Sequence, residues 1–269
     1  MYRGIDAHIH LDKYEPAERQ PMLDLAFESG IAAVIAVSMD ERSCEETRRL
    51  AQLNSGRVHP AYGFHPEQPL PDEASFERLF GWIRARHLAG EAFAIGEVGL
   101  PYYSRTECEE KGEPFDEAPY VALLDRFAAL AAELDRPLVL HAVYEDGAKA
   151  CEIAARHGVR RVHFHWFKGD KETIATMIER GYRISVTPDV AYEIEIQQLV
   201  RDYPLELMMI ETDGPWPFEA EFAGRRTEPV MALESIARIA ALKQQDPEVA
   251  ARILLRNTAE FYGIELMDR

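Results

Sequence analysis

The sequence predicts an α/β fold of the (β/α)8 or TIM-barrel type, on three observations. Short apolar runs rich in β-branched residues alternate with helical stretches almost from end to end. They form eight β-then-α units, the pattern of a closed parallel barrel. The first run ends in Asp6-Ala7-His8-Ile9-His10. An open doubly wound sheet, the competing architecture, would usually carry a glycine-rich phosphate loop there.

The first unit pairs a strand at Gly4–Ile9 with a helix at Pro16–Ser29, and the second pairs Ala32–Ser38 with Cys44–Asn54. Val58–Gly63 with Glu73–His87 and Ala92–Gly96 with Tyr120–Leu134 follow. The second half continues with Pro137–Leu140 and Asp146–His157, then Arg161–Phe164 and Lys171–Arg180. Arg183–Val186 with Tyr192–Tyr203 and Glu206–Ile210 with Glu228–Gln244 complete the eight. Asp246 is an N-cap residue and Pro247 suits the first helical position, so a last helix is expected to run towards Arg256. The stretch Pro101–Pro119 is the longest insertion and is expected to be a loop over the active site, not a domain boundary. Residues 1–269 are thus expected to form a single barrel domain; a chain of 269 residues can bury about three-quarters of the surface it exposes when unfolded.

Composition removes several classes. Hydrophobic residues at 47% and charged residues at 29% are ordinary for a soluble protein and unlike disordered, collagenous or coiled-coil chains. The longest uncharged run, Ser29 to Met39, has 11 residues, against about 20 for a membrane-spanning helix. No secretory signal pattern opens the chain. Three cysteines, Cys44, Cys108 and Cys151, form neither a disulfide framework nor a C-x-x-C pair. These features predict a soluble cytoplasmic protein, with a monomer as the expected state and no obligate protein partner. The net charge of −17 opposes broad capture of duplex nucleic acid but not a local pocket for one strand end.

Five of the nine histidines follow one rule. His8 and His10 close the first strand, His65 follows the third, His141 ends the fifth and His165 ends the sixth. Glu97 after the fourth strand and Asp213 after the eighth join them. The C-terminal ends of barrel strands share one mouth, so these imidazoles and carboxylates converge as a ligand set for zinc, manganese or iron. Residues i and i+2 of a strand point the same way, which aims Asp6, His8 and His10 inward together. Glu97 has two oxygens with which to bridge a second ion. A metal pair about 3.5–4 Å apart clamps both oxygens of a displacement. His163, two before His165, is a candidate for supporting the ligands, whereas His59, His87 and His157 break the rule.

Those residues sit in a longer ordered series. Asp6-Ala7-His8-Ile9-His10-Leu11-Asp12, Gly63-Phe64-His65-Pro66, Ile95-Gly96-Glu97-Val98-Gly99-Leu100 and Leu140-His141 are followed by His165-Trp166-Phe167-Lys168-Gly169 and Glu211-Thr212-Asp213-Gly214-Pro215. Arg225-Arg226-Thr227-Glu228-Pro229 and Asn257-Thr258-Ala259-Glu260-Phe261 complete it. From about Arg3 to Gly263 the chain resembles the TatD family of metal-dependent hydrolases, a branch of the amidohydrolase-like barrels.

The resemblance implies one to three divalent ions (zinc, manganese or magnesium) and hydrolysis of phosphodiesters, with DNA exonuclease activity in several members. It implies that His8, His10, Glu97 and Asp213 hold a first ion and Glu97, His141 and His165 a second. His65 would contact the substrate phosphate, and Arg226 and Glu228 would lie near the substrate or its metal shell. Two positions depart from the family pattern. Pro101 stands where Asp is usual, and Val143 where Arg is usual, which removes a fork of donors suited to phosphate. Trp166 and Lys168 are expected to compensate, by stacking on a base and pairing with a phosphate. Tyr102 and Tyr103 are either pocket lining or loop anchors.

The expected activity is that of a phosphodiesterase or deoxyribonuclease that uses a metal-activated water, with Asp213 and Glu97 as catalytic carboxylates. Asp213 is expected to take the proton from the water and pass it to the leaving group. Glu211 has no assigned role. One alternative keeps the site and changes the bond to a carboxylic ester, lactone or amide. Another is a non-enzymatic barrel with a vestigial metal site. The substrate is expected to be a small molecule or a nucleic-acid end, and no membrane is involved.

Overall fold

In the computed structural model, which describes residues 2–266, the eight apolar runs are eight parallel strands that close in sequence order into a barrel. They are β1 (Gly4–Ile9), β2 (Ile31–Ala36), β3 (Val58–Tyr62), β4 (Ala94–Gly99), β5 (Leu138–His141), β6 (Val162–Phe164), β7 (Arg183–Val186) and β8 (Met208–Ile210). The ring closes where Asp6 of β1 pairs with Ile210 of β8. Around it lie α1 (Pro16–Glu28), α2 (Glu41–Leu53), α3 (Glu73–Leu88), α4 (Tyr102–Lys111), α5 (Ala118–Glu133), α6 (Glu145–Arg156), α7 (Lys171–Glu179), α8 (Ile194–Asp202), α9 (Glu234–Leu242) and α10 (Pro247–Tyr262). Among the described residues no helix is long and apolar enough to cross a membrane.

Period-two alternation sorts the strand residues. Leu138, Leu140, Phe164, Ile184, Val186, Met208 and Ile210 pack outward into the large cluster shared with the helices. Ile5, Ala33, Ile35, Ala61, Ala94 and Val139 form a separate cluster, which Ala259 and Ile264 from the end of the chain complete. The chain end therefore seals one mouth of the barrel and leaves the other for chemistry.

Three boundaries differ from expectation. β4 continues to Gly99, so Glu97 lies inside a strand, because Val98 pairs with Leu140 and Gly99 with His141. The sequence reading ends this strand at Gly96; at Gly99 the close approach of β5 requires a glycine. A Cβ there would lie 1.8 Å from the His141 carbonyl oxygen. The Pro101–Pro119 stretch contains α4, which buries none of its residues and so shows no apolar stripe. The expected helix Glu228–Gln244 is a 3-10 segment, Pro229–Leu233, followed by α9.

The last helix starts as expected and runs beyond Arg256 to Tyr262, where Gly263 takes a left-handed φ of 69°. At its start the Asp246 carboxylate accepts from the backbone N–H of Glu248 and Val249. Asp246→Ala is expected to cost about 1 kcal/mol of folding free energy, measured by urea unfolding. An unchanged midpoint would mean that this cap adds nothing to the seal.

Candidate metal centre

The inward rows of the strands end in chemistry. β5 turns Val139 into the barrel and, two residues on, His141; β6 does the same with His163 and then His165. Glu97 comes from β4, His8 from β1, and His10 from the residue after β1. Asp213 follows β8, with its N–H donating to the His8 carbonyl (2.9 Å) and its own φ at a left-handed 50°. His65 follows β3, held by its N–H on the Met39 carbonyl (2.9 Å).

The expectation that Asp6 shares this face does not hold. The register against β2 shifts between Asp6 and Ile9, which interrupts the alternation. The Asp6 carboxylate instead accepts from the Thr212 N–H (3.0 Å) and hydroxyl (2.6 Å). It braces β1 against the loop that carries Asp213. Burial pushes its carboxyl up to about 7, against the hydrogen bonds from Thr212 and His8.

Glu97 stands at the centre of the other groups. Its Oε2 is 3.0 Å from His8 Nε2 and 3.1 Å from His10 Nε2. Asp213 Oδ1 lies 3.4 Å from both of those nitrogens. Glu97 Oε1 faces His165 Nε2 at 2.7 Å, His141 Nδ1 at 3.0 Å and His65 Nε2 at 3.4 Å. His141 Nδ1 and His165 Nε2 are 3.2 Å apart. Two donors each about 2.1 Å from one ion lie about 3.0–3.4 Å apart at octahedral to tetrahedral angles.

Both groupings, His8–His10–Asp213 and Glu97–His141–His165, therefore have the spacing of a ligand shell. Asp213 Oδ1 is buried with no hydrogen-bond partner, a costly state for a carboxylate oxygen that a cation would relieve. The residues present fit divalent metal.

The charge states follow from this crowding. Burial alone would raise the Glu97 carboxyl, but the charges of His165, His65 and His8 and the hydrogen bond from His10 hold it well below the usual range. Burial and the facing His165 push His8 down to about 4. For His10 and His141 burial is outweighed by carboxylates: Asp213 and Glu97 raise His10 to about 10, and Glu67 and Glu97 raise His141 to about 9.

His65 differs from the other imidazoles. Its Nδ1 accepts the Glu67 N–H (3.1 Å), so in the neutral ring Nε2 carries the proton and is a donor facing the cleft. Burial pushes its pKa down, against the neighbouring Glu97.

Above the imidazoles lies a cleft of about 410 Å³ lined by His65, Glu67, Tyr103, His141, Val143, His165, Trp166, Asp213 and Trp216. Trp166 belongs to it, pinned by its N–H on Glu211 Oε1 (2.7 Å) and its indole N–H on Asp189 Oδ2 (2.6 Å). Tyr103 lines the cleft, whereas Tyr102 anchors the insertion against the Tyr144 ring and the Arg105 guanidinium.

Three of the expected substrate residues are not among the lining. Arg226 is exposed and paired with Glu18 (3.0 Å), its guanidinium over the Tyr14 ring. Glu228 precedes the Pro229–Leu233 segment, and the Lys168 carbonyl accepts the Tyr144 N–H (2.6 Å). For Arg226 the reason is local: Glu18 on α1 and the Tyr14 ring hold its guanidinium outside the cleft.

Around the centre lie Glu211, to which the sequence assigned no role, His163, its expected support, and Glu67, which the sequence did not mark. Glu211, fully buried with its carboxyl pushed well up by burial and the Asp213 charge, lies 3.8 Å from His165 Nδ1. It accepts a hydrogen bond from the Ser185 hydroxyl. Ser185 in turn meets His163 Nε2 (2.5 Å), whose Nδ1 meets the Tyr262 hydroxyl (2.7 Å). His163 thus supports the centre through Ser185 and Glu211. Glu67, two residues after His65, contacts His141 Nε2 at 3.3 Å. It lies in the loop after β3, beyond the strand end, where the docking of Tyr103 and Ser104 onto its carboxylate places it.

Known proteins agree with this architecture and chemistry. The model of the family described as TatD related DNase matches residues 5–263. A Haemophilus influenzae protein described as an uncharacterized metal-dependent hydrolase is 37% identical over 260 residues, 96% of this chain and 99% of its own. The human deoxyribonuclease TATDN3 is 27% identical over 217 residues, 78% of this chain and 77% of its own. The crystal structure of YjjV, a TatD homolog from Escherichia coli, superposes with a TM-score of 0.84 at 24% identity, covering 98% of this chain and 99% of that one. The chain belongs to the TatD related DNase family and is a TatD-type metal-dependent hydrolase.

Proposed function

We propose that this hydrolase binds two divalent ions and cleaves phosphodiesters at the end of a single DNA strand. The observation that carries the two-ion reading is Glu97, whose two oxygens face two separate sets of imidazoles, His8 with His10 and His141 with His165. His8, His10, Glu97 and Asp213 would hold one ion and Glu97, His141 and His165 the other. The nitrogen and oxygen donors suit zinc or manganese. Bound there, the ions would polarise the phosphoryl oxygen and lower the pKa of water. The relative named deoxyribonuclease TATDN3 supports the DNA reading.

Each residue has a defined task in that reaction. His65 Nε2–H donates to a non-bridging phosphate oxygen and holds the group over Glu97. Asp213 accepts a proton from the attacking water as the new P–O bond forms. It returns that proton to the departing sugar oxygen as the old P–O bond breaks. Trp166, fixed at both its N–H groups, offers a ring face for the terminal base. The free thiols of Cys44, Cys108 and Cys151 support a reducing, cytoplasmic setting.

The test is cleavage of a short end-labelled single-stranded oligonucleotide with added Mg²⁺, Mn²⁺ or Zn²⁺. Stepwise shortening that stops on chelation and returns with the metal is expected. An intact oligonucleotide from protein that holds its metal would overturn the DNA reading. A second reading is favoured by one observation: Val143, Tyr103, Trp166 and Trp216 line the cleft, and no Lys or Arg is among its lining residues. A carboxylic ester or lactone with a flat apolar substituent suits such walls. Aryl esters and lactones therefore belong in the same assay.

A further inference from the structure

We propose that Glu67 is a positioning residue for His141, orienting that imidazole from the side opposite the metal centre. This rests on the two-ion reading above. His141 stands between two carboxylates. Its Nδ1 faces Glu97 Oε1 at 3.0 Å and His165 Nε2 at 3.2 Å, while its Nε2 faces Glu67 Oε1 at 3.3 Å. An imidazole whose far nitrogen is hydrogen-bonded to a carboxylate keeps its proton there. It thereby turns the other lone pair, with raised basicity, towards the ion.

What makes Glu67 more than a passing neighbour is how it is itself held. Oε1 accepts the Tyr103 N–H (2.8 Å), and Oε2 accepts the Ser104 N–H (2.8 Å) and hydroxyl (2.5 Å). These donors are in the first turn of α4, whose preceding residue, Pro101, supplies no side-chain acceptor. Glu67 therefore caps that helix from another loop, an anion at the positive end of a helix dipole. Its side chain is only 15% exposed. Glu67 thus joins three parts of the mouth: its backbone N–H holds His65, and its carboxylate oxygens hold His141 and the backbone of the cleft residue Tyr103.

A helix cap alone would predict a loss of stability and nothing more. A positioning role predicts a selective loss at one metal site. The experiment is a chelator-buffered Zn²⁺ titration of the metal-stripped protein, with bound metal read by mass spectrometry and thermal unfolding recorded on the metal-free forms. Losing such a partner typically weakens metal binding about 10–100-fold; Glu67→Gln is therefore expected to weaken one of the two Zn²⁺ steps by that factor and leave the other in place. Ser104→Ala removes one cap donor and leaves the carboxylate facing His141. It is expected to lower the metal-free midpoint while both Zn²⁺ steps stay as in the parent.

Two wild-type steps in Glu67→Gln would overturn the proposal and leave Glu67 as a cap. Should Glu67→Gln not fold, Glu67→Asp, which draws the carboxylate back by one methylene, is read by the same criterion. A parent protein that takes up no Zn²⁺ would overturn the two-ion reading itself, and this proposal with it.

Discussion

Glu97→Gln is expected to release the metal and abolish turnover. Both Glu97 oxygens are in use, Oε2 towards His8 and His10 and Oε1 towards His141 and His165. An amide keeps one acceptor oxygen and presents an NH₂ to the other pair, which repels both a cation and an N–H. Removal of an outer partner of a metal ligand already costs about 10–100-fold in affinity, so loss of a carboxylate that would bridge the two proposed ions is expected to exceed about 100-fold. Metal content after dialysis is the direct measurement. Two equivalents retained in Glu97→Gln would show that Glu97 bridges nothing. One equivalent retained would identify the imidazole pair that the remaining oxygen serves.

Asp213→Asn separates chemistry from binding. The amide keeps an oxygen near His8 and His10 Nε2, where Asp213 Oδ1 now lies at 3.4 Å, but it cannot carry a proton between water and leaving group. General acid–base catalysis contributes typically about 10²–10⁴-fold, and kcat is expected to fall by that factor. The Glu97–His141–His165 group, which does not include Asp213, should keep its ion. Single-turnover cleavage beside metal analysis reads both quantities. Activity near the parent's would remove Asp213 as the proton carrier. Loss of all metal would make it a structural ligand first.

Much of the centre was legible because strand polarity and period two are local properties. A histidine that ends a parallel strand must face the same mouth as one ending any other strand of the barrel. His8, His10, Glu97, His141, His165 and Asp213 could therefore be grouped before any distance was known. The same rule failed at Asp6, where pairing with β2 shifts register; that shift depends on a neighbouring strand and leaves no mark in the local sequence. It also missed Glu67, whose importance comes from α4 docking over it. α4 itself was hidden, since a helix that buries no residue has no apolar stripe. The resemblance implies Arg226 near the substrate, and its charge suggests Lys168 there, but where a loop side chain points is decided by what it packs against; for Arg226 that is Glu18 and Tyr14.

The barrel, the order and direction of its strands, and the set of nitrogen and oxygen donors gathered at one end are all written in the chain. Hydrophobic period and residue type carry that information within each segment. How the donors divide is a matter of packing: which two imidazoles each oxygen of Glu97 faces, which nitrogen of His141 is turned to the centre, and which walls the cleft presents. Those outcomes come from barrel closure and loop docking. Both bring together residues far apart in the chain, 74 positions for His141 with Glu67 and 206 for Thr212 with Asp6, through contacts that no local pattern encodes.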